Sequence, residues 1–182
     1  KGDEFPVSGR WTDVSVKGFT PTAFIRSVKE MNKRTDFTGQ ALSEPTDFCI
    51  GSTLDISRDW GSEISLTGNK VRSGSDFLIA QPNFEPVLAG KFLEEYQNDQ
   101  GADLTVPVMW GVQIMSKDSI SFTHVPDQVT KELALGNSGY EIALEMIHKY
   151  LEIGIKDFYL VPPIFRGGRR DYESAQAVIE DL

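Results

Sequence analysis

The stretch that decides the fold spans residues 70–85 and reads Lys70-Val-Arg-Ser-Gly-Ser-Asp-Phe-Leu-Ile-Ala-Gln-Pro-Asn-Phe-Glu85. Its first residues end an amphipathic segment, a glycine follows, and the run Phe-Leu-Ile-Ala then leads to the polar Gln81. Glycine favours the turn that ends a helix, and an apolar run without alternation is typical of a strand covered on both faces. The stretch therefore predicts a helix, a turn and a parallel strand in succession.

Three more apolar runs predict strands, at 48–54, 106–112 and 158–161. The runs that begin at 48, 77 and 106 are 29 residues apart, the length of a strand, a loop, a helix and a second loop. The predicted helices are at 22–32, 63–73, 86–97, 138–153 and 172–181. We therefore expect a single α/β domain over residues 1–182, with a parallel sheet and ligand-binding loops after the strands.

Composition excludes several function classes. The 182 residues carry 27 acidic and 18 basic side chains, a net charge of −9, and no run of Lys or Arg. Nucleic acid and anionic membranes are therefore not expected partners, and no apolar stretch approaches the roughly 18 residues of a membrane span. The single cysteine, Cys49, lies in an apolar run, so we expect a buried thiol and a reducing, cytoplasmic location.

Common cofactor and metal motifs are absent from the sequence. The glycine cluster at 166–170, Arg-Gly-Gly-Arg-Arg, lacks the spacing of a dinucleotide-binding turn. His124 and His148 with one cysteine do not make a typical zinc site, so no metal is expected. A nucleophile elbow is also missing. A redox cofactor would therefore have to be held by the loops of a barrel-type fold.

Three stretches together resemble the methylenetetrahydrofolate reductase family: residues 36–51, residues 70–85, and residues 107–122 with their continuation at 155–158. The second is similar to the family's Lys-Val-x-Ala-Gly-Ala-Asp-Phe-x-x-Thr-Gln-x-x-Phe-Asp signature in one unbroken register. The segment Lys1-Gly2-Asp3-Glu-Phe-Pro is similar to the family's Arg-Gly-Asp-x-Pro. The resemblance implies a (β/α)₈ TIM barrel of which this chain supplies roughly strands 5–8 and their helices.

The resemblance also implies an activity. Family members reduce 5,10-methylenetetrahydrofolate to 5-methyltetrahydrofolate with flavin adenine dinucleotide (FAD) as cofactor and NADH or NADPH as hydride donor. The family's general acid, a glutamate at the end of the first strand, has no counterpart in this sequence. The alternative is a folate-binding relative without reductase activity that acts in one-carbon transfer. Four strands of a barrel expose two edges, so we expect a homo-oligomer or association with the missing barrel half.

The matched positions supply a set of expected site residues. Asp3 matches a catalytic aspartate beside the flavin, and Gln81 matches a glutamine that binds the pterin or the nicotinamide, since an amide both donates and accepts hydrogen bonds. Phe122 matches a phenylalanine that stacks on substrate, with a core aromatic as the alternative. Arg166 matches an arginine at the folate glutamate tail, with Arg169 and Arg170 as alternatives.

Seven residues match flavin-contacting positions of the family: Gly2, Asp3, Thr20, Gly51, Thr53, Glu63 and Lys70. Glu63 and Lys70 are two helical turns apart, so both can face one edge of a cofactor. The alternative for this pair is a solvated helix face. The loop after the first predicted strand departs from the family because it lacks a histidine. Its Trp60 either stacks on a cofactor ring or packs against its own loop.

Overall fold

A computed structural model describes residues 20–182. In this range helices and strands alternate over most of the chain. Their order is α1 (Pro21–Met31), β1 (Gly51–Leu54), α2 (Trp60–Arg72), β2 (Phe77–Ala80), α3 (Pro86–Gln100), β3 (Val108–Gln113), α4 (Asp127–Ala134), α5 (Gly139–Glu152), β4 (Phe158–Val161) and α6 (Tyr172–Glu180).

The four strands form one parallel sheet in the order β1-β2-β3-β4. Each strand pairs with the next one in the chain, and a helical connection lies between them. This order is compatible with part of a TIM-barrel-like fold, in which consecutive parallel strands are joined by helices. The predicted α/β class and parallel sheet are confirmed.

The two faces of the sheet differ in burial. Leu54, Leu78 and Val112 are fully buried in the core that also contains Tyr150 of α5. Side chains alternate between the faces of a strand, so the next residues along each strand belong to the opposite face. On that face, which we call the inner face, Ile79 and Met109 are 38% and 37% exposed. The helices therefore cover one face of the sheet and leave the inner face partly open.

Two glycines of the inner face lie beneath aromatic rings. Gly51 pairs with Phe77 and Gly111 pairs with Tyr159 in the sheet register. A Cβ atom at Gly111 would lie 2.7 Å from the Tyr159 hydroxyl oxygen, and one at Gly51 would meet the ring of Phe77. Each ring lies across its neighbouring strand because that strand carries no side chain at the paired position.

Helix starts follow from local chemistry. The Ser138 hydroxyl accepts a hydrogen bond from the Glu141 backbone N–H, and the Glu141 carboxylate accepts one from the Ser138 backbone N–H, which forms a complete capping box for α5. Asp59 and Asp171 cap α2 and α6 in the same acceptor role. These caps fix where α2 and α6 begin after the loops that follow β1 and β4, and where α5 begins after α4.

Several sequence-based expectations need correction. Strand β1 begins at Gly51, later than the predicted residue 48. Its only neighbour among the described strands is β2, and Gly51 pairs with Phe77, the first residue of β2, so residues 48–50 have no strand to pair with. Cys49 was expected to be buried but is exposed, since it precedes β1 at that edge of the sheet. Helix α4 was not predicted. It has only eight residues, and its single buried side chain is Val129, so its apolar pattern is short.

Among residues 20–182, no helix combines the length and apolar character needed to cross a lipid bilayer.

Candidate functional site

The candidate site lies at the carboxyl ends of the strands. In parallel α/β folds these ends meet at one edge of the sheet, and the loops that follow them carry the binding residues. Here the loops are residues 55–59, 81–85, 114–126 and 162–171. Two of the predicted substrate-binding residues fall in the last two loops, and Gln81 begins the second.

Gln81 stands at the end of β2 with its side chain exposed. Its backbone N–H donates to the Leu54 carbonyl at 2.8 Å, which fixes the residue to the neighbouring strand. The side-chain amide has no hydrogen-bond partner within residues 20–182, so it offers a donor and an acceptor to a ligand. Continuing the pairing of Ile79 with Met109 by two residues places Gln81 beside Gly111 on the inner face.

Tyr159 forms the aromatic surface next to Gln81. The Tyr159 hydroxyl donates to the Ala80 carbonyl at 2.8 Å, across Gly111 on the strand between them. Burial raises the pKa of Tyr159 above its ordinary value, so the hydroxyl stays protonated and keeps donating at neutral pH. The half-buried ring and the free amide of Gln81 together form a flat surface with one polar edge.

Gln113, the last residue of β3, is a site component that the sequence did not reveal. It is 1% exposed. Its Nε2 donates to the Ile120 carbonyl at 2.9 Å, and its Oε1 lies 3.0 Å from the Ser121 hydroxyl. The amide therefore fastens the loop after β3 over the end of the inner face. The sequence signal was a polar residue inside the buried run Val112 to Met115, but its partners lie in a loop that sequence alone cannot place.

Glu63 and Lys70 face the protein interior. They are 2% and 4% exposed, and Lys70 Nζ lies 3.6 Å from Glu63 Oε1. Lys70 also donates to the Thr53 carbonyl at 2.5 Å, and Glu63 accepts from the Asp55 N–H at 3.1 Å. Burial lowers the pKa of Lys70, and the charge of Glu63 opposes that shift. The predicted shared helix face is confirmed, the alternative of a solvated face is wrong, and the pair holds the end of β1.

The other described candidate cofactor residues lie on β1 and at the start of α1. Thr53 is exposed on the inner face near the end of β1, whereas Gly51 lies at the start of that strand under Phe77. Thr20 caps α1, with its hydroxyl accepting from the Ala23 N–H at 3.1 Å. Gly2 and Asp3 lie outside the described residues. Because Glu63 and Lys70 are buried and Thr20 lies at α1, the described candidates do not form one exposed cofactor surface.

The loops after β3 and β4 are joined to each other. The Ile120 N–H donates to the Ile164 carbonyl at 2.7 Å, and the two residues form an antiparallel bridge. We call these two joined loops, residues 114–126 and 162–171, the loop wall. Phe122 on this wall is 68% exposed, so the alternative of a core aromatic is wrong.

A cleft of about 580 Å³ runs along the loop wall. Its charged lining residues are Lys117, Asp118, Arg166 and Arg169. Arg169 stacks over the Phe165 ring at 4.2 Å, whereas the exposed Arg166 side chain has no hydrogen-bond partner or ion pair in the described part of the chain. Three cations against one carboxylate favour an anionic ligand group here, and Arg166 is the arginine that is free to bind it.

Trp60 is not placed as a cofactor-stacking residue. Its indole N–H donates to the Ile56 carbonyl at 2.8 Å, and its ring meets Phe92 edge to face with centroids 5.8 Å apart. The alternative, packing against its own loop, is confirmed, and the ring also packs against α3 through Phe92. The described residues also contain no group of three or more His, Cys, Asp or Glu side chains arranged to hold a metal ion.

No protein-family model and no curated protein matches the sequence. A solved structure resembles the fold. It is an uncharacterized protein from Clostridium thermocellum that binds two copies of 5-methyl-5,6,7,8-tetrahydrofolic acid, and it is 15% identical with a TM-score of 0.58. The match covers 74% of this chain and 53% of that protein, so the chain spans about half the length of its structural neighbour. At this identity the likeness establishes the fold.

Proposed function

We propose that this protein binds a tetrahydrofolate derivative at the carboxyl ends of the strands. The observation that carries the proposal is the free amide of Gln81 beside the Tyr159 ring, on a sheet whose fold is shared with a protein that binds 5-methyltetrahydrofolic acid. A pterin is a flat heterocycle with donors and acceptors along one edge. An amide against an aromatic surface suits that chemistry.

The charge distribution supports the same ligand class. A folate has a neutral bicyclic head and an anionic glutamate tail. The side chains of Gln81 and Tyr159 carry no charge, whereas the cleft of the loop wall carries Lys117, Arg166 and Arg169 against Asp118. We infer that the head lies at Gln81 and that Arg166 meets the tail carboxylates, because guanidinium and carboxylate form bidentate hydrogen bonds.

Binding of 5-methyltetrahydrofolate to the full-length protein, measured by isothermal titration calorimetry, tests the proposal. Gln81→Ala removes two ligand hydrogen bonds of about 1 kcal/mol each, so the expected loss of affinity is about 30-fold. Gln97→Ala is the matched control, since Gln97 is an exposed glutamine near the far end of α3. The proposal fails if the wild-type protein shows no binding, or if the two variants bind equally well.

Reductase activity toward 5,10-methylenetetrahydrofolate is a second proposal. It is favoured by the local structure of the matched stretch: α2 ends at Arg72, Gly74 turns with a φ of 109°, and β2 leads into Gln81. The described residues do not fit a flavin site, because Glu63 and Lys70 are internal and Phe77 covers Gly51. A colourless purified protein that binds folate and oxidises neither NADH nor NADPH would leave only the binding function.

A further inference from the structure

Gln113 lies where the inner face meets the loop wall. It follows Gly111 by two residues on β3, so both belong to the inner face, and its register partner is Val161 on β4. At 1% exposure, its side chain has no surface for a ligand. Whatever Gln113 contributes to binding must act through the groups that it touches.

Both ends of the Gln113 amide are used by the loop after β3. The N–H₂ group holds the Ile120 carbonyl at 2.9 Å, and the carbonyl oxygen takes the Ser121 hydroxyl at 3.0 Å. Ser121 also accepts from the Thr123 N–H at 3.2 Å, on the far side of Phe122. The backbone on both sides of Phe122 is therefore tied, directly or through Ser121, to one buried amide.

The connection continues into the next loop. Ile120, whose carbonyl is held by Gln113, donates its N–H to the Ile164 carbonyl at 2.7 Å. Ile164 also bridges Arg170, and the Phe165 N–H donates to the Arg169 carbonyl at 2.9 Å. One side chain of β3 thus anchors both halves of the loop wall, including the segment that carries Arg166.

We propose that Gln113 is a positioning residue that holds the loop wall against the sheet. Binding of the aminobenzoyl-glutamate part of a folate then depends on Gln113, whereas binding of the pterin at Gln81 does not. This inference rests on the proposed folate-binding function. Its physical basis is that the amide supplies a donor for the Ile120 carbonyl and an acceptor for the Ser121 hydroxyl at the same time. An apolar replacement removes both hydrogen bonds to the loop and leaves Ser121 bonded to Thr123 alone.

Two ligands separate this role from a general loss of folding. Gln113→Leu is expected to weaken 5-methyltetrahydrofolate about ten-fold or more by calorimetry, since two hydrogen bonds to the wall are lost. Binding of 6-methyltetrahydropterin, which lacks the aminobenzoyl-glutamate, should stay within about two-fold of wild type. Equal weakening of both ligands would overturn the proposal, as would unchanged affinity for both.

Gln113→Glu should give a pH dependence of folate affinity that a purely packing role of Gln113 would not produce. A neutral carboxyl group can donate to the Ile120 carbonyl and accept from Ser121, whereas a carboxylate can only accept. Folate affinity of this variant should be low at about pH 8 and return toward wild type as the pH falls to about 5. The ratio of variant to wild-type affinity isolates this change from titration of the ligand. A ratio that does not vary with pH contradicts the role.

If Gln113→Leu does not fold, Ser121→Ala carries the same prediction at a smaller size, about five-fold for the folate and none for the pterin. Hydrogen exchange separates this inference from the proposed function. Faster exchange of the Ile120 amide in the Gln113 and Ser121 variants supports the anchoring role even if the wild-type protein binds no folate. Unchanged exchange at Ile120 overturns the anchoring role even if folate binds.

Discussion

Replacing Lys70 with methionine tests whether the Glu63–Lys70 pair holds the end of β1. Methionine keeps most of the length and apolar bulk of the lysine chain but removes the ammonium group. Glu63 would then be a carboxylate at 2% exposure without its cation, and the Thr53 carbonyl would lose its donor at 2.5 Å. Removing one partner of a buried ion pair costs about 3–5 kcal/mol, and we expect the free energy of unfolding to fall by that amount.

A double-mutant cycle isolates the interaction of the two side chains. Glu63→Gln keeps an acceptor for the Asp55 N–H, which lies 3.1 Å from Glu63 Oε1, but leaves a buried ammonium group. The combination of Glu63→Gln with Lys70→Met removes both charges. It should therefore be more stable than Lys70→Met alone, with a coupling of about 2–3 kcal/mol. Urea unfolding of the full-length proteins, followed by far-ultraviolet circular dichroism and tryptophan fluorescence, measures the four stabilities.

The pH dependence of Glu63→Gln has a definite sign. Burial already lowers the pKa of Lys70 below 10.5, and removing the anion lowers it further. Between the folded and unfolded pKa values the unfolded chain binds more protons, so stability rises with pH in that window. The variant should therefore approach wild-type stability as the pH rises from 7 toward 10.5. The reasoning is refuted if Lys70→Met lies within about 1 kcal/mol of wild type, or if the double variant is no more stable than it.

Three further changes test the packing around the site. Gly111→Ala would place a methyl group 2.7 Å from the Tyr159 hydroxyl oxygen, and thermal denaturation should show a loss of about 1–3 kcal/mol as the ring is displaced. Gly139→Ala would drive a methyl group into the Met115 backbone carbonyl, which cannot rotate away, so its loss should be at least as large. Tyr150 has a buried hydroxyl with no partner in the described chain, and burial raises its pKa. Just above pH 10 this tyrosine therefore ionises only in the unfolded state, which lowers the free energy of unfolding by about 1.4 kcal/mol at pH 11. Tyr150→Phe should remove that loss. At pH 7 the same variant should be as stable as wild type or more stable, because it removes an unpaired buried hydroxyl.

Much of the fold could be predicted because its signals are local. An apolar run, a glycine and a capped amphipathic segment each act within a few residues, as in the stretch that ends at Gln81. The extent of β1 could not be predicted this way. Its ladder depends on where β2 begins, and just before it the Ile50 N–H bonds to the Asp76 carboxylate at 2.9 Å. Pairing partners set strand ends, and sequence patterns do not locate the partners.

In the candidate site, too, the features set by local sequence could be predicted and those set by tertiary contacts could not. The position of Gln81 followed from its place after an apolar strand, whereas the environments of Glu63 and Lys70 did not follow from their spacing. Two helical turns place both on one face, but the identity of what that face meets is a tertiary property. Here it meets the Thr53 carbonyl and the Asp55 N–H. Gln113 was missed for the same reason, because both of its partners come from a loop with no periodic signal.

Under the proposed function, the distribution of charge within the candidate site predicts how a folate is oriented there. The chain carries a net charge of −9, yet the cleft on the loop wall holds Lys117, Arg166 and Arg169 against Asp118 alone. In an acidic protein this local excess attracts the carboxylates of a ligand to one end of the site and repels them from the rest of the surface. The neutral pterin head would then lie at Gln81, whose uncharged amide offers oriented hydrogen bonds. We therefore expect Arg166→Ala to weaken folates with longer glutamate tails most, while the tetrahydropterin fragment binds it as it binds the wild-type protein.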